Sequence, residues 1–175
     1  QGFIVPKSSP GLTISDEREK LMSLNGLPMY RVKLDSVKAP ATNRLGGESG
    51  HDFAPVLASM RLATAAMALG VANAAFEYSM NYAKEREAFG VKIAQKQAIA
   101  FMLAEMRTEI EASRLLTWEA AWKLDQGKED TYTEAYLAAT GAADMAMMVT
   151  DRAVQILGGH GYIREHPVEM WMRNG

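Results

Sequence analysis

From Asp52 onward apolar residues recur at helical spacing almost without relief, and before that point they do not. Phe53, Val56, Leu57, Met60, Thr64, Met67 and Val71 mark one face of a first long helix, predicted over about Asp52 to Lys84. At about 1.5 Å per residue it spans on the order of 50 Å. Its middle, Ala63 to Ala75, is mostly small residues, which lets a neighbouring helix approach closely; Arg86, Phe89 and Gly90 interrupt it. A second helix is expected from near Gln95 to Gln97, with Ile99, Met102, Leu103, Met106 and Ile110 on one face and Trp118 and Trp122 one turn apart near its end. Gly127 is placed just past its last turn. A third opens on Thr131 with Glu134 three residues later, the signature of a capping box, and runs to Leu157. Long helices with short connections are antiparallel neighbours, so the pattern predicts a mainly α, up-and-down bundle whose fourth helix follows Arg173.

The first fifty residues follow another period. Gly2 to Val5 reads as a short strand, Pro6 to Gly11 as a turn and Leu12 to Ile14 as a second strand. Met29 to Leu34 alternates, with Tyr30, Val32 and Leu34 on one face and Arg31 and Lys33 on the other, the pattern of a half-buried strand. So few short strands close neither a barrel nor a sandwich, and residues 1–50 are taken as the end of a β domain, with 51–175 as a helical domain.

Composition narrows the function classes. A net charge of −2 with interspersed signs gives no basic stripe for nucleic acid. The chain has no cysteine, which removes disulfides and thiolate metal sites, and His51, His160 and His166 are too scattered in sequence to read as a ligand cluster. The longest apolar run, Leu62 to Ala75, falls short of the roughly 20 residues of a membrane span. The first residue is Gln1, so the sequence reads as a piece of a longer protein.

The stretch VQILGGHGYIREHPVEMWMRN, Val154 to Asn174, carries the densest punctuation. A helical pattern stops at Gly158 and Gly159, Gly161 follows, and Pro167 opens a segment with Glu169 and Arg173. Glycines there cap the helix and let a ligand or a second chain come near the backbone. Taken alone they are a weak signal and read first as a plain helix terminus with a tight turn. Arg61 sits inside an otherwise apolar helix, where an unpaired buried charge is costly.

The segments MRLATAAMALGVANAAFEYSMNYAKEREAFG, KQAIAFMLAEM and DRAVQILGGHGYIREHPVEMWMRN, in that order and spacing, resemble the carboxy-terminal half of an acyl-CoA dehydrogenase. FIVPKSSPGL and VKAPATNRLGG resemble the closing strands of that family's middle β domain, so the resemblance covers the whole chain. It implies an FAD-dependent enzyme that desaturates an acyl-CoA thioester between its α and β carbons and passes electrons to an electron-transferring flavoprotein. It also implies a homodimer or homotetramer with FAD at a subunit contact, in the bacterial cytoplasm or the mitochondrial matrix. By the same resemblance Arg86 and Phe89 meet the pyrophosphate and adenine end of FAD with Gln97 nearby. Gln155, Gly158 and Gly159 approach the FAD of the partner subunit, and Arg61 lies near the acyl-CoA cleft. The chemistry suits them: arginine presents a charged fork to phosphate oxygens, and glycine frees main-chain N–H groups to reach an anion.

Structural roles compete with each of these. Arg86 can pair with Glu85 or Glu87, Phe89 can plug the core, and Gln97 and Gln155 can bridge helices; Met102, Met106, Met145, Met147 and Met148 are read as core filler. In most of the family the catalytic base is a glutamate a short way beyond the position of Asn174, and the alternative position beside Arg61 holds Met60. No catalytic residue is therefore assigned, and Glu165 and Glu169 fall where the family uses carboxylates for structure. Ala88, Ala58 and the ending RNG depart from the family pattern and leave the substrate class open. An acyl-CoA oxidase or flavin monooxygenase on the same fold, or a non-catalytic helical oligomerisation module, stays open beside the dehydrogenase.

Overall fold

Alanine decides how the helices pack. The computed structural model describes residues 1–175, which divide into two compact units, Gln1–Phe53 and Ala54–Gly175. The first holds strands β1 (Leu12–Ile14) and β2 (Val32–Leu34); in the second, helix α1 (Ala54–Glu85) is followed by a small hairpin of β3 (Glu87–Ala88) and β4 (Val91–Lys92), then α2 (Gln97–Asp125), α3 (Thr131–Leu157), a 3-10 turn (Gly158–Tyr162) and α4 (Val168–Asn174). The three long helices form the expected up-and-down arrangement, and the short α4 docks on α1 and α3.

The face of α1 that enters the core differs from the one expected. Ala58, Leu62, Ala65, Leu69, Ala72, Ala75, Phe76 and Ala83 are buried, whereas Val56, Leu57, Met60 and Met67 are exposed. Side-chain size misled the expectation. Ala135, Ala138, Ala142, Ala146 and Ala153 of α3 are also buried, and two alanine faces let backbones approach until dispersion contacts close the gap. The main core joins Phe76, Met106, Ile110, Met145, Val149, Ile156, Leu157 and Val168 at one end of the bundle, and a smaller cluster joins Ala58, Leu62, Ala120, Ala135 and Ala138 at the other. On α2 the expected face holds: Met106 and Ile110 are fully buried, with Ile99, Met102 and Leu103 packed beside them. Of the methionines assigned to the core, Met147 is exposed.

By length and composition α1 is apolar enough to cross a membrane, with an 18-residue window of mean hydropathy 1.5 of which 22% is buried. That stretch is longer than the Leu62–Ala75 run read from the sequence. A core helix of a helical domain meets the same description, and α1 supplies core residues along its whole length.

The capping box at Thr131 does not form. Asp130 is the N-cap and offers no side-chain cap; the Thr131 hydroxyl donates to the carbonyl of Lys128 at 2.6 Å, and Glu134 accepts from Lys123 at 2.8 Å. Glu134 is drawn to a cation on the neighbouring helix. Gly127 does follow α2 in the left-handed region, φ +60°, with its N–H donating to Leu124.

In the first unit β1 (Leu12–Ile14) pairs antiparallel with β2 (Val32–Leu34), Leu12 opposite Leu34. The strand expected over Gly2 to Val5 is reduced to a single bridge between Phe3 and Arg44. The strand expected from Met29 starts only at Val32, and all three of its residues are exposed. Two three-residue strands have too little surface to bury either face. Phe53, expected on the first helix, belongs to this unit: its ring meets His51 edge-on, and a Cβ added at Gly2 would fall 2.5 Å from it.

Candidate functional site

The carboxy-terminal end of α1 continues into a hairpin rather than ending in a simple interruption. The Arg86 N–H still donates to the carbonyl of Tyr82 at 2.8 Å, after which Glu87 pairs with Lys92 and Ala88 with Val91. The two turn residues, Phe89 (φ +55°) and Gly90 (φ +78°), are both left-handed, the requirement of the tightest hairpin turn. Glycine adopts this freely; a bulky aromatic does so only under strain. Phe89 nevertheless stands 95% exposed, with the Lys96 ammonium 5.6 Å from its ring centroid, so it is not a core plug.

Beside it Arg86 is exposed and makes no ion pair. Of the two carboxylates expected to compete for it, Glu85 forms no ion pair with it, and Glu87 binds Lys92 at 2.7 Å, a hydrogen bond that holds the Glu87 carboxyl below its ordinary range. Lys92 also donates to the carbonyl of Glu85 at 3.0 Å. The hairpin thus uses lysine for its own cohesion and leaves the guanidinium fork free. Gln97, the first residue of α2, is exposed at the same end of the bundle.

The other half of the site is the end of α3. Gln155 is exposed between buried neighbours, and the helix stops at Gly158, φ +59°. Its three glycines have different causes. Gly158 needs its left-handed backbone, and Gly161 is buried where a Cβ would lie 2.4 Å from the carbonyl oxygen of Val154. Gly159 has neither need: its φ is ordinary, it is exposed, and an added Cβ meets nothing within 4 Å. Nothing in its own chain calls for glycine there.

The up-down-up order brings Arg86, Phe89, Gln97, Gln155, Gly158 and Gly159 to one end of the bundle. Arg61 is at the other. Its guanidinium is half-buried, 5.2 Å from the centroid of the Tyr136 ring on α3, so its charge is met by an aromatic face rather than by a carboxylate. Twenty-five residues of helix, roughly 37 Å, separate Arg61 from Arg86. Met60 beside it is exposed. Of the two carboxylates in EHPVE, Glu169 is bound in a fork by Arg173, at 2.8 and 3.1 Å, and that hydrogen bonding holds its carboxyl below the ordinary range. Glu165 is exposed.

One cluster escaped the sequence reading. His160 and His166 are not scattered: their rings are 5.6 Å apart, and each meets a tyrosine of α1, Tyr82 and Tyr78 respectively. The available signal was two tyrosines one turn apart on α1 and two histidines, one inside the glycine turn and the other six residues further on, which share a neighbourhood only once α1 and α3 are known to be parallel.

Residues 53–174 match the family model described as the acyl-CoA dehydrogenase C-terminal domain. The chain belongs to the acyl-CoA dehydrogenase family. It is 40% identical over 174 residues to the cyclohex-1-ene-1-carbonyl-CoA dehydrogenase of Syntrophus aciditrophicus (strain SB), an alignment covering 98% of this chain and 42% of that protein. It is 39% identical over 175 residues to the caffeyl-CoA reductase-Etf complex subunit CarC of Acetobacterium woodii, covering 98% of this chain and 45% of the relative. Among solved structures, butyryl-CoA dehydrogenase from Megasphaera elsdenii superposes with a TM-score of 0.84 at 39% identity, over 98% of this chain and 45% of that one. The chain therefore spans less than half the length of these acyl-CoA dehydrogenase relatives.

Proposed function

We propose that this chain is the carboxy-terminal part of an FAD-dependent acyl-CoA dehydrogenase, which desaturates an acyl-CoA thioester between its α and β carbons and passes the electrons to an electron-transferring flavoprotein. The hairpin carries this reading: it holds Phe89 in a strained, fully presented conformation beside an arginine that no carboxylate of the chain occupies. Strain of this kind, of order 1–3 kcal/mol, persists where function uses it. Family membership and the acyl-CoA substrates named for the relatives agree with it.

The residues fit the cofactor. Arg86 would clamp the pyrophosphate through its fork of charged donors, Phe89 would cover the adenine, and Gln97 would add a polar contact. Gln155 and the main chain at Gly158 and Gly159 would approach the FAD bound mainly by a partner subunit, in a homodimer or homotetramer. When bound, FAD supplies the hydride acceptor. Arg61, far along α1 from Arg86, would serve the acyl-CoA cleft rather than the same phosphate. With Glu169 committed to Arg173, neither carboxylate of EHPVE is assigned the removal of the α-proton. Residues 1–50 would close a middle β domain, which agrees with the exposure of Val32 and Leu34 on strands that have no further partner in this unit.

Full-length protein is expected to purify with bound FAD and to lose its visible flavin absorbance when an acyl-CoA is added without oxygen. Well-folded full-length protein without flavin overturns the proposal. Rapid reoxidation of the reduced protein by dioxygen reassigns it to an oxidase or monooxygenase.

A further inference from the structure

Tyr78 and Tyr82 lie one turn apart on α1, half-buried, and both reach across to the segment after α3. Tyr78 Oη is 2.7 Å from Nδ1 of His166, and Tyr82 Oη is 3.3 Å from Nδ1 of His160. With neutral imidazoles each hydroxyl donates to the ring nitrogen. Tyr82 also meets the His166 ring edge-on at 5.7 Å, and Trp171 of α4 meets Tyr78 at 5.9 Å. Five aromatic side chains, from α1, the glycine turn, the loop after it and α4, thus close one seam.

The seam joins the two halves of the site. Tyr82 accepts the N–H of Arg86 at its carbonyl, so a shift of Tyr82 along the helix is a shift of the arginine. His160 stands between Gly159 and Gly161. A turn this rich in glycine has a large backbone entropy to lose and few side chains with which to hold itself. Gly161, packed on the Val154 carbonyl, fixes one side of it; the histidine fixes the other.

We infer that the Tyr82–His160 and Tyr78–His166 contacts are pins that set the spacing between the arginine-bearing end of α1 and the glycine turn, making these four side chains positioning residues for the cofactor. The inference rests on the FAD reading above, and touching FAD is no part of it.

The test uses full-length protein, with amide hydrogen exchange over residues 158–162 and the dissociation constant for FAD as readouts. Tyr82→Phe removes one hydroxyl. It is expected to speed exchange in the turn roughly fivefold and to weaken FAD binding by a similar factor, the effect of one neutral hydrogen bond, with exchange around Val149 unchanged. His160→Asn, which keeps an acceptor near the position of Nδ1, should restore most of both losses seen in His160→Leu. Unchanged exchange in the turn overturns the pins whether or not flavin binds. Faster exchange with unchanged FAD affinity overturns the positioning role. A wild type that binds no flavin overturns the underlying reading and the cofactor role together, while the exchange measurement still decides whether the pins exist.

Discussion

Lys123, near the end of α2, reaches Glu134 in the first turn of α3, Nζ to Oε1 at 2.8 Å, and the same ammonium contacts Asp130 at 3.0 Å and Glu119 at 3.3 Å. Its side chain is only 16% exposed. Hydrogen bonding to Glu134, then to Asp130, raises the lysine pKa above its ordinary range, and the bond from Lys123 lowers that of Asp130. Both directions favour the charged pair. The Asp130 contribution is complete above the unfolded value near about 4 and is lost as pH falls through the depressed folded value. The lysine contribution is complete below about 10.4 and is lost only as pH rises through its raised value. Lys123→Met should therefore lower the melting temperature by a few degrees at neutral pH, with a margin that is flat from about pH 5 to 9 and shrinks on acidification below about 4. Thermal unfolding of both proteins across pH checks this; a margin that widens in acid contradicts the clamp.

Arg86→Ala removes a guanidinium with no partner in the chain. The melting temperature of the apoprotein should barely move. Loss of charged hydrogen bonds to a pyrophosphate should weaken FAD binding roughly tenfold to a hundredfold, measured by flavin fluorescence titration. Equal losses in both would show that the arginine holds the fold rather than the cofactor.

How far these residues were legible varies with the physics behind each. The helices and their order followed from periodicity, because a 3.6-residue repeat of apolar positions is a local property. The buried face of α1 did not, because Met60 and Met67 outweigh Ala65 and Ala72 in hydrophobicity, while close helix packing selects for smallness. The hairpin at Phe89 was hidden because the usual Asn-Gly or Asp-Gly signal for its turn is replaced by Phe-Gly. Thr131 and Glu134 match a capping box, yet Glu134 is claimed by Lys123, a residue of another helix that no local window contains. The Tyr–His seam joins residues 78 positions or more apart and depended on topology alone.

Three substitutions in one turn should separate its three glycines. Gly161→Val should destabilise the apoprotein by about 1–3 kcal/mol through overpacking, since its Cβ would meet the Val154 carbonyl. Gly158→Ala should cost about 1–3 kcal/mol, since φ +59° with ψ −129° is a backbone conformation that glycine reaches and alanine resists. Gly159→Val should leave apoprotein stability nearly unchanged and impair formation of the FAD-bound dimer, read by analytical ultracentrifugation with flavin absorbance. A normal holo dimer with valine at 159 would mean that no partner or ligand approaches there.

Arg61 and Tyr136 tie α1 to α3 through a single cation–π contact. A double-mutant cycle of Arg61→Gln and Tyr136→Leu should give a coupling of about 0.5–1 kcal/mol in stability. In the full-length enzyme Arg61→Gln should raise KM for acyl-CoA more than it lowers kcat, the behaviour of a residue that binds substrate and transition state alike. A fall in kcat alone would place Arg61 with the reacting atoms instead.

Phe89 offers the sharpest opposition between stability and function. Asparagine tolerates the left-handed backbone that phenylalanine resists, and the exposed ring contributes no core packing that its removal would forfeit. Its contact with Lys96 is solvent-exposed and worth about 0.5–1 kcal/mol at most. Phe89→Asn should therefore hold or raise the apoprotein melting temperature while weakening FAD binding, because the stacking surface is gone. Scanning calorimetry of the apoprotein and FAD titration of the same preparation measure the two effects separately. A variant that loses stability and keeps its FAD affinity would assign the phenylalanine to the hairpin itself, and would remove the observation on which the functional proposal stands.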